Sequence, residues 1–242
     1  MATTGPAQGW SESALGAARS LSVITLVGAV LGLVVGGVLG RVAMFVLARL
    51  NPSTAGLESD DGFEIGQFTL SGSLNLLLFG AVLGVAGAGI YAAIRSLIIG
   101  PRWFQVLSIA VGAAVVVGEA VVHTDGVDFI ALKPPLLAIA IFVAIPGLYA
   151  GALTVASERF LASQGTGNNT ILLVLGLLPW VPLFPLFLVL ATGWALLQAA
   201  HRSDRTQALV ANPAAMWIPR VLLIAFFLAT LGGLAEDSLT LT

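Results

Sequence analysis

Arg41 and Glu119 lie in long apolar runs, and chemistry inside a membrane would be expected of them first. An arginine in hydrocarbon costs at least about 2.5–3.5 kcal/mol on insertion scales, so it needs a partner or a route to the interface. With the amino terminus inside, both residues fall in the outer half of the bilayer, where they can pair. One reading is structural: an ion pair, or an arginine snorkelling to the outer surface. The functional reading is anion binding by Arg41 and proton exchange at Glu119.

A second set of polar groups falls on the same outer side. Asp60, Asp61 and Glu64 lie in one link, and His123, Asp125 and Asp128 in another. Carboxylates with one imidazole suit a divalent cation. Their spacing matches no established metal loop, and Asp-Gly pairs also serve turn geometry, so no metal site is assigned. His201 to Arg205 is read as a solvated turn. The chain has no cysteine, which removes disulfides, thiolate metal sites and a cysteine nucleophile. GxSxG, HExxH and P-loop motifs are absent. The expectation is a non-catalytic protein with no cofactor.

The elements that must position these residues follow from hydropathy. Of 242 residues, 58% are hydrophobic and 9% charged, and mean hydropathy is +1.01. Soluble domains carry about 25% charged residues, so the solvent for most of this surface is lipid. The net charge of −2 offers no basic footprint for nucleic acid. Nine Arg against one Lys, with much Ala, Val, Gly and Leu, fits a GC-rich coding sequence and a bacterial plasma membrane.

A crossing needs about 20 apolar residues. Six segments qualify, at about 21–48, 74–94, 103–122, 135–156, 170–198 and 216–234. The expected fold is an all-α integral membrane helical bundle in one domain. Residues 1–20 form a cytoplasmic tail and 51–73 an extracytoplasmic loop. The first run is too long for a signal peptide and reads as a retained anchor. Asn51-Pro52 ends the first helix. The stretch 63–70 reads as a short strand or a surface-lying segment.

The fifth segment is anomalous. Its 29 residues would extend about 43 Å as a straight helix, and Pro179, Pro182 and Pro185 break its middle. A single tilted, kinked span is the expected form; a re-entrant hairpin is the alternative. The positive-inside rule bears on the choice. With a span, Arg19, Arg95, Arg102 and Arg159 lie inside and Arg49, Lys133, Arg202 and Arg205 outside. A hairpin moves Arg202 and Arg205 inside.

Gly28, Gly32, Gly36 and Gly40 repeat every four residues on the first helix, and Gly80 and Gly84 follow the same spacing on the second. Small residues let helix backbones approach in lipid. They serve either packing of these two helices on each other or a seam for a partner. Membrane lipid is the expected environment, with a partner membrane protein or a homo-oligomer as a further possibility. Three functions stay open: a non-catalytic subunit or scaffold packing through glycine faces, a small-solute or ion permease using Arg41, Glu119 and the proline-broken segment, and, least supported, a membrane-embedded enzyme.

Residues 40–52, with Ser59 to Phe63, Gly66 to Leu70 and Val122 to Phe129, resemble uncharacterised multi-pass membrane proteins of high-GC Gram-positive bacteria. The resemblance covers roughly residues 40–160. It implies a bacterial plasma membrane and carries over no activity or ligand.

Overall fold

In the computed structural model the chain is described at residues 9–54, 56–57, 69–122, 124, 127–163, 170–202 and 217–241. It is an all-α bundle, with no strand among the described residues and six helices long and apolar enough to cross a membrane. The stretch 63–68 lies outside the described residues.

The first rod runs unbroken from Trp10 to Leu50. It comprises α1 (Trp10–Leu31), a π-helical stretch (Gly32–Leu39) and α2 (Gly40–Leu50). Of the tail expected at 1–20, residues 10–20 are helix, continuous with the first apolar run. Asn51 ends α2 with backbone φ −127°. The next helix, α3 (Leu70–Ile94), starts four residues earlier than hydropathy suggests, because Thr69 caps it by accepting from the Gly72 amide at 3.2 Å. After α3 come α4 (Arg102–Val121), the short α5 (Val127–Ala131) and α6 (Pro135–Ser163). α6 runs seven residues past its expected end and so carries Glu158 and Arg159. The last helix, α9, spans Trp217–Thr240.

The fifth segment folds as a helical hairpin, the form expected as the alternative to a single kinked span. α7 (Thr170–Leu177) leads into a 3₁₀ turn (Leu178–Trp180), and α8 (Phe184–Arg202) returns. Arg202 Nη2 donates to Ser13 Oγ at 3.0 Å, and its guanidinium lies 4.3 Å from the Trp10 ring centroid. The end of α8 is thus back beside the amino-terminal end of α1. The inserted arm is held by small residues. Ser22 Oγ donates to the carbonyls of Ala18 and Leu173, and Gly176 sits so close that a Cβ would come within 2.5 Å of Ser22. Buried Trp180 donates from Nε1 to Thr25 Oγ1 at 2.9 Å. The prolines leave no continuous hydrogen-bond ladder through residues 179–185, so the chain turns back there.

The glycine faces pack inside the chain. A Cβ on Gly28 would lie 2.6 Å from the Gly84 carbonyl oxygen, and one on Gly80 2.6 Å from the Gly32 oxygen. Only glycine permits this approach of α1 to α3. Four-residue spacing overshoots an α-turn by roughly 40° per step, and the wider π turn partly rewinds it. Gly37 then enters the seam, where a Cβ would be 2.9 Å from Leu77 Cα. Gly40 falls outside it, with only Leu76 Cδ2 near, at 3.9 Å.

Two apolar clusters complete the bundle. One, around Ile24, Ala88, Tyr91 and Leu153, lies toward the α3–α4 link. The other, around Leu47, Val122, Phe129 and Leu234, lies at the opposite end. There Asn51, 7% exposed, accepts from the Lys133 amide at 2.7 Å and donates to the Lys133 and Leu47 carbonyls at 3.0 Å. That side chain ties α2 to the turn before α6.

Candidate functional site

The helices leave one side of the bundle open. α3 packs on α1 and the π-helical stretch, whereas α4 packs on α6 and α9. Consecutive α3 and α4 therefore belong to different halves, and a cleft of about 1330 Å³ separates them. Drug-sized sites are about 300–1,000 Å³, so this one is large. Its floor is made of small residues, including Gly36, Gly84 and Gly112. A Cβ on Gly112 would meet nothing within 4 Å, so the floor there faces open space.

The rims are large apolar side chains. Phe79, Leu83 and Ile90 of α3 and Leu107, Val111 and Val117 of α4 line the cleft and are exposed. The lining runs along most of the length of α4. From Leu107 to Val121 is about 21 Å of helix, against a hydrocarbon thickness of about 30 Å. Pro146, inside α6, lines the cleft. Gly147 beside it packs on α4, where a Cβ would lie 3.1 Å from Ala114 Cβ.

The two ends of the cleft differ chemically. At the Phe129 end it is lined by an aromatic pair, Phe129 and Phe142, with ring centroids 5.5 Å apart. At the other end lies the polar cluster of Tyr91, Glu158 and Arg95. Tyr91 OH donates to Glu158 Oε1 at 2.9 Å, and Arg95 Nη1 to the same oxygen at 3.0 Å. This ion pair is about one-third exposed on each side, at 34% and 39%, so it adds roughly 0.2–1 kcal/mol. Arg220, at the start of α9, donates from Nε to the Leu97 carbonyl at 2.9 Å and stacks at 5.4 Å on Trp217. Along the cleft wall, Tyr149 OH donates to the Gly84 carbonyl at 2.6 Å.

The residues singled out from sequence are placed elsewhere. Arg41 is half-buried on α2 and Glu119 half-buried on α4. They do not come within ion-pair distance of each other. Glu119 instead lies against α9, its Oε1 3.4 Å from where a Cβ on Gly233 would sit. Neither residue lines the cleft. Asp60, Asp61, Glu64, His123 and Asp125 lie outside the described residues, as does the side chain of Asp128. Among the described residues no group of three potential metal ligands assembles.

Sequence reasoning missed the Tyr91–Glu158–Arg95 cluster. Glu158 lies beyond residue 156, where hydropathy ends the fourth segment, so its place in the bundle shows only once α6 is seen to continue to Ser163. A signal existed: Tyr91 and Arg95 share a helix face at four-residue spacing, and Glu158 belongs to a helix end expected on the same side of the membrane.

Comparisons with models of protein families, with curated proteins and with solved structures give no match. The function is therefore read from this geometry.

Proposed function

We propose that the chain is a non-catalytic integral membrane protein that holds a membrane lipid in its side-opening cleft. The observation that carries this reading is the cleft itself. It is walled largely by glycine and apolar side chains, and its rim side chains are exposed, as a groove open to lipid would be. Apolar walls without partner atoms forfeit dispersion contacts, so an acyl chain entering from the side gains contacts while giving up none to water. Arg41 and Glu119 lie outside the cleft, which leaves the permease reading without the two charges on which it was based.

The orientation follows from arginine. Arg95, Arg102, Arg202 and Arg220 cluster at the α1 amino-terminal end by helix direction and hydrogen bonding, with Arg19 and Arg159 on the same half. Arg41, Arg49 and Lys133 lie toward the other end. The positive-inside rule assigns the first end, and the amino terminus, to the cytoplasm. Composition and the resemblance of residues 40–160 support a bacterial plasma membrane.

Lipid analysis of protein purified in mild detergent tests the reading. The wild type is expected to retain phospholipid through delipidating washes. Gly112→Phe puts a ring into the open floor and is expected to lose most of it. Equal retention by both proteins would refute the cleft as the lipid site. A second reading is favoured by the small residues of the floor: a partner's transmembrane helix could seat there through small-residue packing. In that case cross-linking from a cysteine at Val111 captures protein, and Gly112→Phe blocks it.

A further inference from the structure

We infer that the occupant of the cleft is an anionic phospholipid whose headgroup lies against Arg102 and Arg220. This rests on the lipid reading above and adds the identity of the lipid. Three observations carry it. First, the cleft is polarised. The Phe129–Phe142 pair lines one end with hydrocarbon, whereas two arginines top the walls at the other. An amphiphile with one head fits that asymmetry; a symmetric apolar ligand has no need of it.

Second, the open end carries excess positive charge set on the cleft's own walls. Arg220 lies three, four and seven residues before Leu223, Ile224 and Phe227, all of which line the cleft. It is therefore on the same helix face, one turn above the wall. Arg102 lies seven residues before Ile109, another lining residue, and so tops the α4 wall in the same way. The bond from Arg220 Nε to the Leu97 carbonyl fixes that guanidinium at the mouth, beside Ile98 of the lining.

Third, the acid of this region is already engaged. Glu158 neutralises Arg95 and accepts from Tyr91. Among the described residues no carboxylate lies within ion-pair distance of Arg102 or Arg220. Two guanidiniums above an apolar slot are complementary to one phosphate above acyl chains, and guanidinium recognises phosphate with paired N–H donors.

Native mass spectrometry of the full chain in detergent tests this with two probes of matched acyl chains, phosphatidylglycerol and phosphatidylcholine. An arginine near an anionic headgroup contributes roughly fivefold in affinity, so the wild type is expected to prefer phosphatidylglycerol by about 25-fold. Arg102→Gln should reduce that preference roughly fivefold, and Arg102→Gln with Arg220→Gln should abolish it while phosphatidylcholine still binds. Arg220→Gln also removes the bond to Leu97, so Arg220→Lys, which keeps the charge, is expected to retain the preference. If the wild type binds both lipids equally, the headgroup assignment fails and the cleft reading stands. If the preference survives loss of both arginines, these residues are not the headgroup site. If Gly112→Phe binds both lipids like wild type, the cleft reading fails, and this inference with it.

Discussion

Replacing Gly84 with alanine tests the packing that builds the cleft wall. A methyl at this position would overlap the Gly28 carbonyl oxygen and lie 2.8 Å from Gly32 Cα and 3.0 Å from the Gly28 carbonyl carbon. All three are backbone atoms, so no side chain can swing away. Carbon contacts are favourable at about 3.5–4.0 Å, so the helices must part by at least roughly 0.7 Å, and by more to clear the carbonyl oxygen. Overpacking of this kind costs about 1–3 kcal/mol, offset by up to about 1 kcal/mol from helix propensity. The net expectation is a loss of about 1–2 kcal/mol. The separation also strains the 2.6 Å bond from Tyr149 to the Gly84 carbonyl. Gly40→Ala is the contrast. Its methyl meets only Leu76 Cδ2 at 3.9 Å, so propensity alone acts and stability should be unchanged or rise by about 0.5–1 kcal/mol. Unfolding midpoints in mixed micelles of mild detergent and dodecyl sulfate, read by circular dichroism, measure both. Equal midpoints for the two variants, or a less stable Gly40→Ala, would refute the assignment of one glycine to the seam and the other to open space.

The remaining predictions concern the hairpin. Because the chain has no cysteine, single cysteines at His201, Arg102 and Lys133 can be probed with an impermeant thiol reagent; His201→Cys should label from the same side as Arg102→Cys and the opposite side from Lys133→Cys. Labelling of His201→Cys together with Lys133→Cys would restore the kinked span. Trp180→Phe and Thr25→Val each remove the same 2.9 Å hydrogen bond and should each destabilise the protein by about 0.5–1.5 kcal/mol. The double variant should lose less than the sum, and strict additivity in that cycle would show the bond to be energetically silent.

Hydropathy alone settled the class of this protein. So little charge in so long a chain leaves no way to cover a soluble surface, and the boundaries of α4 were legible to one residue. Helix lengths were less legible, because a helix continues into water where capping and tertiary contacts allow. Thr69 moved the start of α3 outward, and the extension of α6 brought Glu158 into the bundle. The three prolines announced a break, but only tertiary contacts turned it into a hairpin. The bonds of Arg202 to Ser13 and Trp180 to Thr25 join residues more than 150 positions apart, and no local pattern encodes them. The glycine repeat showed where backbones approach closely, yet it treated Gly28 and Gly40 alike. The path of α3 and the π turn separated them, placing one in the seam and the other beside open space. The cleft was invisible for the same reason. It is a space between α3 and α4, neighbours in sequence that pack on different partners, and the sequence of either helix reports only that it is apolar. Arg41 and Glu119 stood out in the sequence because charge in hydrocarbon is costly. The structure moved attention from them to Arg102 and Arg220, whose helix-end positions looked unremarkable until the cleft between their helices was seen.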